Sequence, residues 1–189
     1  MADNILSSSE KHTKGNKPSN KERRRKDPVF LAILRLLIKI VILAIFISLI
    51  FTFVLGFLRI NDTSMMPNVA PGDLVMFYRL DKKCVVGDVV VFSYKGEKRT
   101  ARVVALPGDT VDIDQSGLKV NGNAQYEPKI YKETMPVVDG TVFPIKLKGN
   151  EYFILDDNRD ETSDSRLFGP VTDKDLYGKV FTLIRRRNI

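Results

Sequence analysis

DVVVFSYKGEKRTARVVALPGD, residues 88–109, decides the architecture. It holds two runs rich in β-branched residues, DVVVFSY (88–94) and RTARVVAL (99–106). Gly87 precedes them, Lys95-Gly96 separates them, and Pro107-Gly108-Asp109 closes them. Short runs of this kind between turn residues read as strands. The pattern continues outward on both sides. LVMFYRL (74–80) lies between Pro71-Gly72-Asp73 and Asp81, and EYFIL (151–155) and KVFTLI (179–184) follow. LKV (118–120) meets Asn121-Gly122, a tight-hairpin signal that pairs it with TVDID (110–114). No stretch after Leu58 keeps a 3.6-residue apolar period for three turns. The expectation is a mainly β, mostly antiparallel domain over residues 59–189.

Upstream the character changes. Ile40–Leu58, IVILAIFISLIFTFVLGFL, runs nineteen residues without a charge. At ~1.5 Å per residue that is about 28 Å of helix, close to the hydrocarbon thickness of a bilayer. The apolar character begins at Val29, broken by Arg35 and Lys39, which share a helix face and can snorkel to headgroups. Residues 29–58 therefore read as a membrane anchor. The run is too long for a cleaved signal peptide and has no small-x-small site after it. Residues 1–28 carry eight Lys and Arg against Asp3, Glu10, Glu22 and Asp27, and too few apolar residues to order themselves. The positive-inside rule makes this tail cytoplasmic and the C-terminal domain extracellular, a single-pass protein of the cell membrane. Beside an anchor the basic tail is a topology signal and a contact for the lipid bilayer, so nucleic acid is not expected as a partner.

The chain of 189 residues has one Cys, Cys84, and one His, His12, which lies in the polar tail. No disulfide framework or Cys-rich metal site can be built from one Cys. Mechanisms that need a positioned imidazole base are excluded, as is a His-ligated zinc enzyme. No cofactor and no metal are expected. Hydrolytic chemistry must find its base elsewhere.

Three segments carry chemistry. The first is Asn61-Asp62-Thr63-Ser64-Met65-Met66-Pro67 and the second is residues 101–109, ARVVALPGD. The third is residues 157–171, DNRDETSDSRLFGPV, dense in carboxylates, guanidiniums and hydroxyls at ordered spacing. Together they resemble the type I signal peptidases, membrane-anchored serine endopeptidases that remove signal peptides. The small size and single anchor are similar to the Gram-positive branch. The resemblance covers the anchor and nearly the whole exported domain.

It implies a fold, a mostly antiparallel β-structure on its anchor, and a Ser/Lys mechanism. In that mechanism a serine attacks the scissile carbonyl and a neutral lysine, its pKa lowered by desolvation, serves as base. Carried over by motif, Ser64 matches the nucleophile, with its own N–H as an oxyanion donor. Thr162 takes the place of the hydroxyl residue that orients the lysine. Arg102, Asp109, Asp157, Asn158, Arg159, Asp164 and Arg166 match charged positions that brace the site, and Ser165 falls within the same motif. Met65 and Met66 are expected to contact substrate or membrane.

One position breaks the pattern: the family lysine immediately precedes Arg102, and here that residue is Ala101. Lys98 lies on the opposite strand face and needs a bulge to reach the site, and the Arg99 guanidinium cannot act as a base. Asp156 stands where the family has Gly, Asp62 where it has Gly or a hydroxyl residue, and Asn68 where it has Thr. Two readings stay open. One is a serine endopeptidase with an altered base, acting on signal peptides of exported or pilin-like precursors with small residues at −1 and −3. The other is a catalytically impaired paralogue, a peptide-binding secretion or pilus-assembly factor that takes an extended peptide without needing a base.

Overall fold

The computed structural model describes residues 28–185, so the basic tail lies outside the described residues. Helix α1 spans Pro28–Leu49, opening on a proline whose missing N–H costs nothing in the first turn. It continues as a π-helical turn, Ile50–Val54. The 27 residues Pro28–Val54 are long and apolar enough to cross a membrane, and none of the α1 side chains is buried by protein. The helical run stops four residues short of the expected anchor boundary at Leu58. Leu55–Leu58 extend instead, because strand pairing satisfies their backbone polar groups.

The rest of the chain is β-structure. Its strands are β1 (Leu55–Arg59), β2 (Leu74–Tyr78), β3 (Val89–Tyr94), β4 (Glu97–Ala105), β5 (Thr110–Asp114), β6 (Gly117–Val120), β7 (Asn123–Ala124), β8 (Ile145–Lys146), β9 (Glu151–Leu155), β10 (Val171–Thr172) and β11 (Leu176–Ile184). One sheet has the order β1-β2-β11-β3-β4-β9-β10 and a smaller one the order β7-β6-β5-β8. Every pairing is antiparallel. The second helix, α2 (Ser165–Phe168), is a single turn. The mainly antiparallel β expectation thus holds.

The turn residues explain the connections. Lys95 and Gly96 both have positive φ, as a two-residue hairpin between β3 and β4 demands, with Tyr94 facing Glu97. TVDID does pair with LKV, but through Gln115-Ser116. Asn121-Gly122, also at positive φ, turns the next hairpin, from β6 into β7.

Strand β4 carries the middle of the molecule. Up to Val103 its inward residues, Ala101 and Val103, pack with Val90, Phe92, Tyr152 and Ile154. Between Val103 and Ala105 the pairing with β9 slips by one residue, a β-bulge at Val104. After it, Val104 and Ala105 join a different cluster, with Phe153, Leu155 and the smaller sheet's Val111, Ile113, Leu118 and Val120. A third cluster of Ile60, Met65, Val69, Val75, Phe77 and Val91 lies under the segment that carries Ser64. Cys84 is buried, its thiol pushed up to about 11 chiefly by that burial. It serves as a small apolar filler.

Candidate active site

Ser64 sits in the turn after β1 and is almost wholly enclosed. Its Oγ donates to Asp62 Oδ1 at 2.7 Å, and its backbone N–H donates to the same oxygen at 3.1 Å. One carboxylate oxygen thus holds both the hydroxyl and the amide expected to serve the reaction. The segment is tied to the third motif: Asn158 N donates to Ser64 O at 2.8 Å, and the Thr63 hydroxyl donates to Glu161 at 3.1 Å.

The third motif is an ionic frame. Arg102, on β4, donates from Nε to Asp157 Oδ1 at 2.7 Å and from Nη2 to Oδ2 at 2.5 Å. Hydrogen bonding to Asp157 raises the Arg102 pKa further. Its Nη1 reaches Gly87 O at 2.7 Å, and Asn68 Nδ2 supplies Asp157 Oδ2 with a second donor at 2.8 Å. Arg159 forks onto Glu127 at 2.9 and 2.6 Å, donates from Nε to Asp156 O at 2.8 Å and also meets the Thr134 hydroxyl. Arg166, buried almost completely, pairs with Asp164 and donates to the Arg159 and Glu161 carbonyls. Asp164 also caps α2 through Arg166 N, and its Oδ2 accepts from Asp156 N at 3.1 Å. Ser165 Oγ accepts from Ile154 N. Guanidiniums so placed are satisfied by planar pairing, which is what makes their burial tolerable.

At the expected base position, Ala101 is fully buried and faces Val90 across β3. Neither neighbouring cation replaces the amine. Lys98 is exposed, its Nζ 4.8 Å from the centre of the Tyr177 ring. Arg99 turns to Asp156, 3.8 Å away. Thr162 is exposed, and its hydroxyl makes no hydrogen bond among the described residues. Asp109 lies in the turn between β4 and β5. It caps its own turn through Leu106 N and takes Asn121 Nδ2, so it braces the smaller sheet. Met65 is wholly enclosed in the cluster beneath Ser64, which corrects the expectation that it meets substrate or membrane. Met66 is exposed on a shallow cavity with Pro67, Tyr131 and Lys132.

A cavity of about 430 Å³ opens beside Asp62, between Leu58–Asp62 and Glu97–Arg99. This trough has walls from two stretches of chain that β2, β11 and β3 separate in the strand order. Among the described residues no group of three His, Cys, Asp or Glu is placed to hold a metal ion.

Residues 33–184 match the model of the family described as signal peptidase, peptidase S26. This chain therefore belongs to the signal peptidase I family. Signal peptidase IB of Staphylococcus aureus strain COL is 29% identical over 167 residues, 78% of this chain and 87% of that protein. Signal peptidase I of Bacillus licheniformis is 29% identical over 141 residues, 68% of this chain and 76% of its own length. Signal peptidase I P of Bacillus subtilis subsp. natto is 38% identical over 102 residues, 49% of this chain. The match spans only 54% of that relative, about half its length. A solved signal peptidase I from Enterococcus faecalis aligns with 53% of this chain and 98% of its own, at 27% identity and a TM-score of 0.44. Family membership makes the chain a hydrolase of the protease class by resemblance.

In the sequence Asp156 stands out only as a departure from the family glycine, and Glu127 does not stand out. A second acidic residue directly before Asp157 was the available signal for the first. Glu127 had none, since its stretch carries no apolar period.

Proposed function

We propose that this chain is a serine endopeptidase that removes signal peptides from exported precursors, with a carboxylate where its relatives' mechanism has an amine. The observation that carries the reading is the 2.7 Å hydrogen bond from Ser64 Oγ to Asp62 in an enclosed site. The precursor lies extended in the trough between Leu58–Asp62 and Glu97–Arg99. Ser64 Oγ attacks the scissile carbonyl carbon while its proton passes to Asp62. The C–N bond then breaks, and the same proton leaves with the amine. Water hydrolyses the Ser64 ester by the reverse proton path. A carboxylate is a weaker base than a neutral amine, so turnover is slow by orders of magnitude. The Pro28–Val54 helix spans the membrane and the basic tail keeps the N-terminus in the cytoplasm, which puts Ser64 on the outer side.

A second reading, binding without cleavage in secretion or pilus assembly, has its own observation. The carboxylate that accepts from Ser64 Oγ also takes the Ser64 N–H, where the oxyanion of the transition state would need a donor. One comparison separates the two, using full-length protein in detergent and a precursor with small residues at −1 and −3. Cleavage that Ser64→Ala abolishes establishes the peptidase. Peptide bound equally by both proteins and cut by neither establishes the binder. A rate that Ser64→Ala leaves untouched removes Ser64 from the mechanism.

A further inference from the structure

One buried group within reach of the Asp62 charge has no part in the chemistry above. Asp156 is fully enclosed, and neither of its carboxyl oxygens has a hydrogen-bond partner among the described residues. Buried polar atoms are almost always satisfied, so an orphaned carboxyl requires a reason. Its position follows from register. Across β4 and β9, Arg102 faces Leu155 and Val103 faces Ile154, so the residue after Leu155 comes opposite Ala101. A methyl and a carboxyl thus share one cross-strand place. Charged groups surround the carboxyl from several elements. Arg99 approaches from β4 at 3.8 Å, Asp62 acts from the segment before Ser64, and Asp164 and Arg166 act from the last motif. The Arg159 side chain binds the Asp156 carbonyl.

We propose that Asp156 fills the space that a lysine at position 101 would take, so that Ser64 faces two carboxyl groups, Asp62 directly and Asp156 behind it. Ala with Asp carries as many side-chain heavy atoms as Lys with Gly, so the exchange conserves volume across the pair of strands. Asp156 is a positioning residue that acts on Ser64 through the charge of Asp62. Burial pushes its carboxyl up to about 8, with the charges of Asp164 and Asp62 adding and those of Arg99 and Arg166 opposing. Near neutrality it holds a proton, and above that pH a second negative charge joins Asp62. Restoring a Ser/Lys site consequently takes two changes. A lysine at 101 alone meets a carboxyl that crowds it and favours its charged form, which cannot accept a proton.

The inference rests on Ser64 occupying the nucleophile position. It is tested on the full-length protein in detergent with Ala101→Lys and the double variant Ala101→Lys/Asp156→Gly, again on a precursor with small residues at −1 and −3. The double variant should cleave roughly a hundredfold faster than the single one, the worth of a positioned general base. Equal cleavage by the two would mean that the place was vacant and would overturn the proposal. Carbon NMR of aspartate carboxyls, assigned with Asp156→Asn, gives a readout that needs no activity and decides the matter if neither variant cleaves. Asp62→Asn should lower the Asp156 midpoint by roughly one pH unit. An unmoved midpoint would show that the two carboxyls do not form a pair. That titration does not involve Ser64 as a nucleophile, so failure of the peptidase reading would leave it standing.

Discussion

The ionic frame of residues 157–166 and the place opposite Ala101, held by Asp156, adjoin in sequence, yet they treat buried charge in opposite ways. In the frame every guanidinium has a carboxylate or carbonyl in planar contact. At Asp156 a carboxyl is buried with no hydrogen bond among the described residues, offset by Arg99 at 3.8 Å and, more weakly, by the charge of Arg166. The frame is built from the charged residues of the third motif, and the neighbouring place holds Ala101 and Asp156. The contrast separates buried charge that braces the backbone from buried charge left without a hydrogen-bond partner.

The largest expected effect breaks the frame. Arg166→Ala leaves Asp164 buried without its partner and frees the carbonyls of Met135, Arg159 and Glu161, and should cost about 3–5 kcal/mol. Urea unfolding of the full chain in detergent measures this, and a loss below ~1 kcal/mol would show that the frame is not a stabilising unit. A smaller effect should come from Asp156→Asn, with the opposite sign. An acid that the fold keeps protonated costs stability as pH rises above the ordinary carboxyl range, and the cost grows until the group ionises, here at about 8. Wild type and Asp156→Asn should therefore match near pH 4. The variant should gain steadily up to about pH 8 and hold its lead above it, by a few kcal/mol. A pH-independent difference would contradict the burial assigned to this carboxyl. The smallest effect should come from Lys132→Ala, which removes an exposed pair with Asp160 at 2.6 Å. Melting curves should move by less than ~1 kcal/mol, and less still in salt.

Strands β2, β3, β4, β9 and β11 were legible because β-branched runs there are punctuated by Gly, Pro and Asp, whose backbone preferences act locally. The turn at Asn121-Gly122 was legible as a turn, but its partners were not. A two-residue signal fixes a reversal and leaves open which of two adjacent hairpins it closes. Ser64 and the frame could be read because motif order carries them. The surroundings of Met65 could not, since a methionine beside a serine gives no hint of whether it points to a core or a ligand. Asp156 was visible as a departure, while its unpartnered state depends on a cross-strand register that no local pattern encodes.

The bulge at Val104 has a consequence for how this site could change. Without it, Ala101, Val103 and Ala105 would share one face, and any exchange at 101 would be felt along a single packed row. The extra residue divides β4 into two segments that answer to different cores. The segment before it can change the residue at position 101 and its cross-strand neighbour. The segment after it continues to hold the smaller sheet in place. The same strand can thus vary at position 101 while the protein keeps its shape.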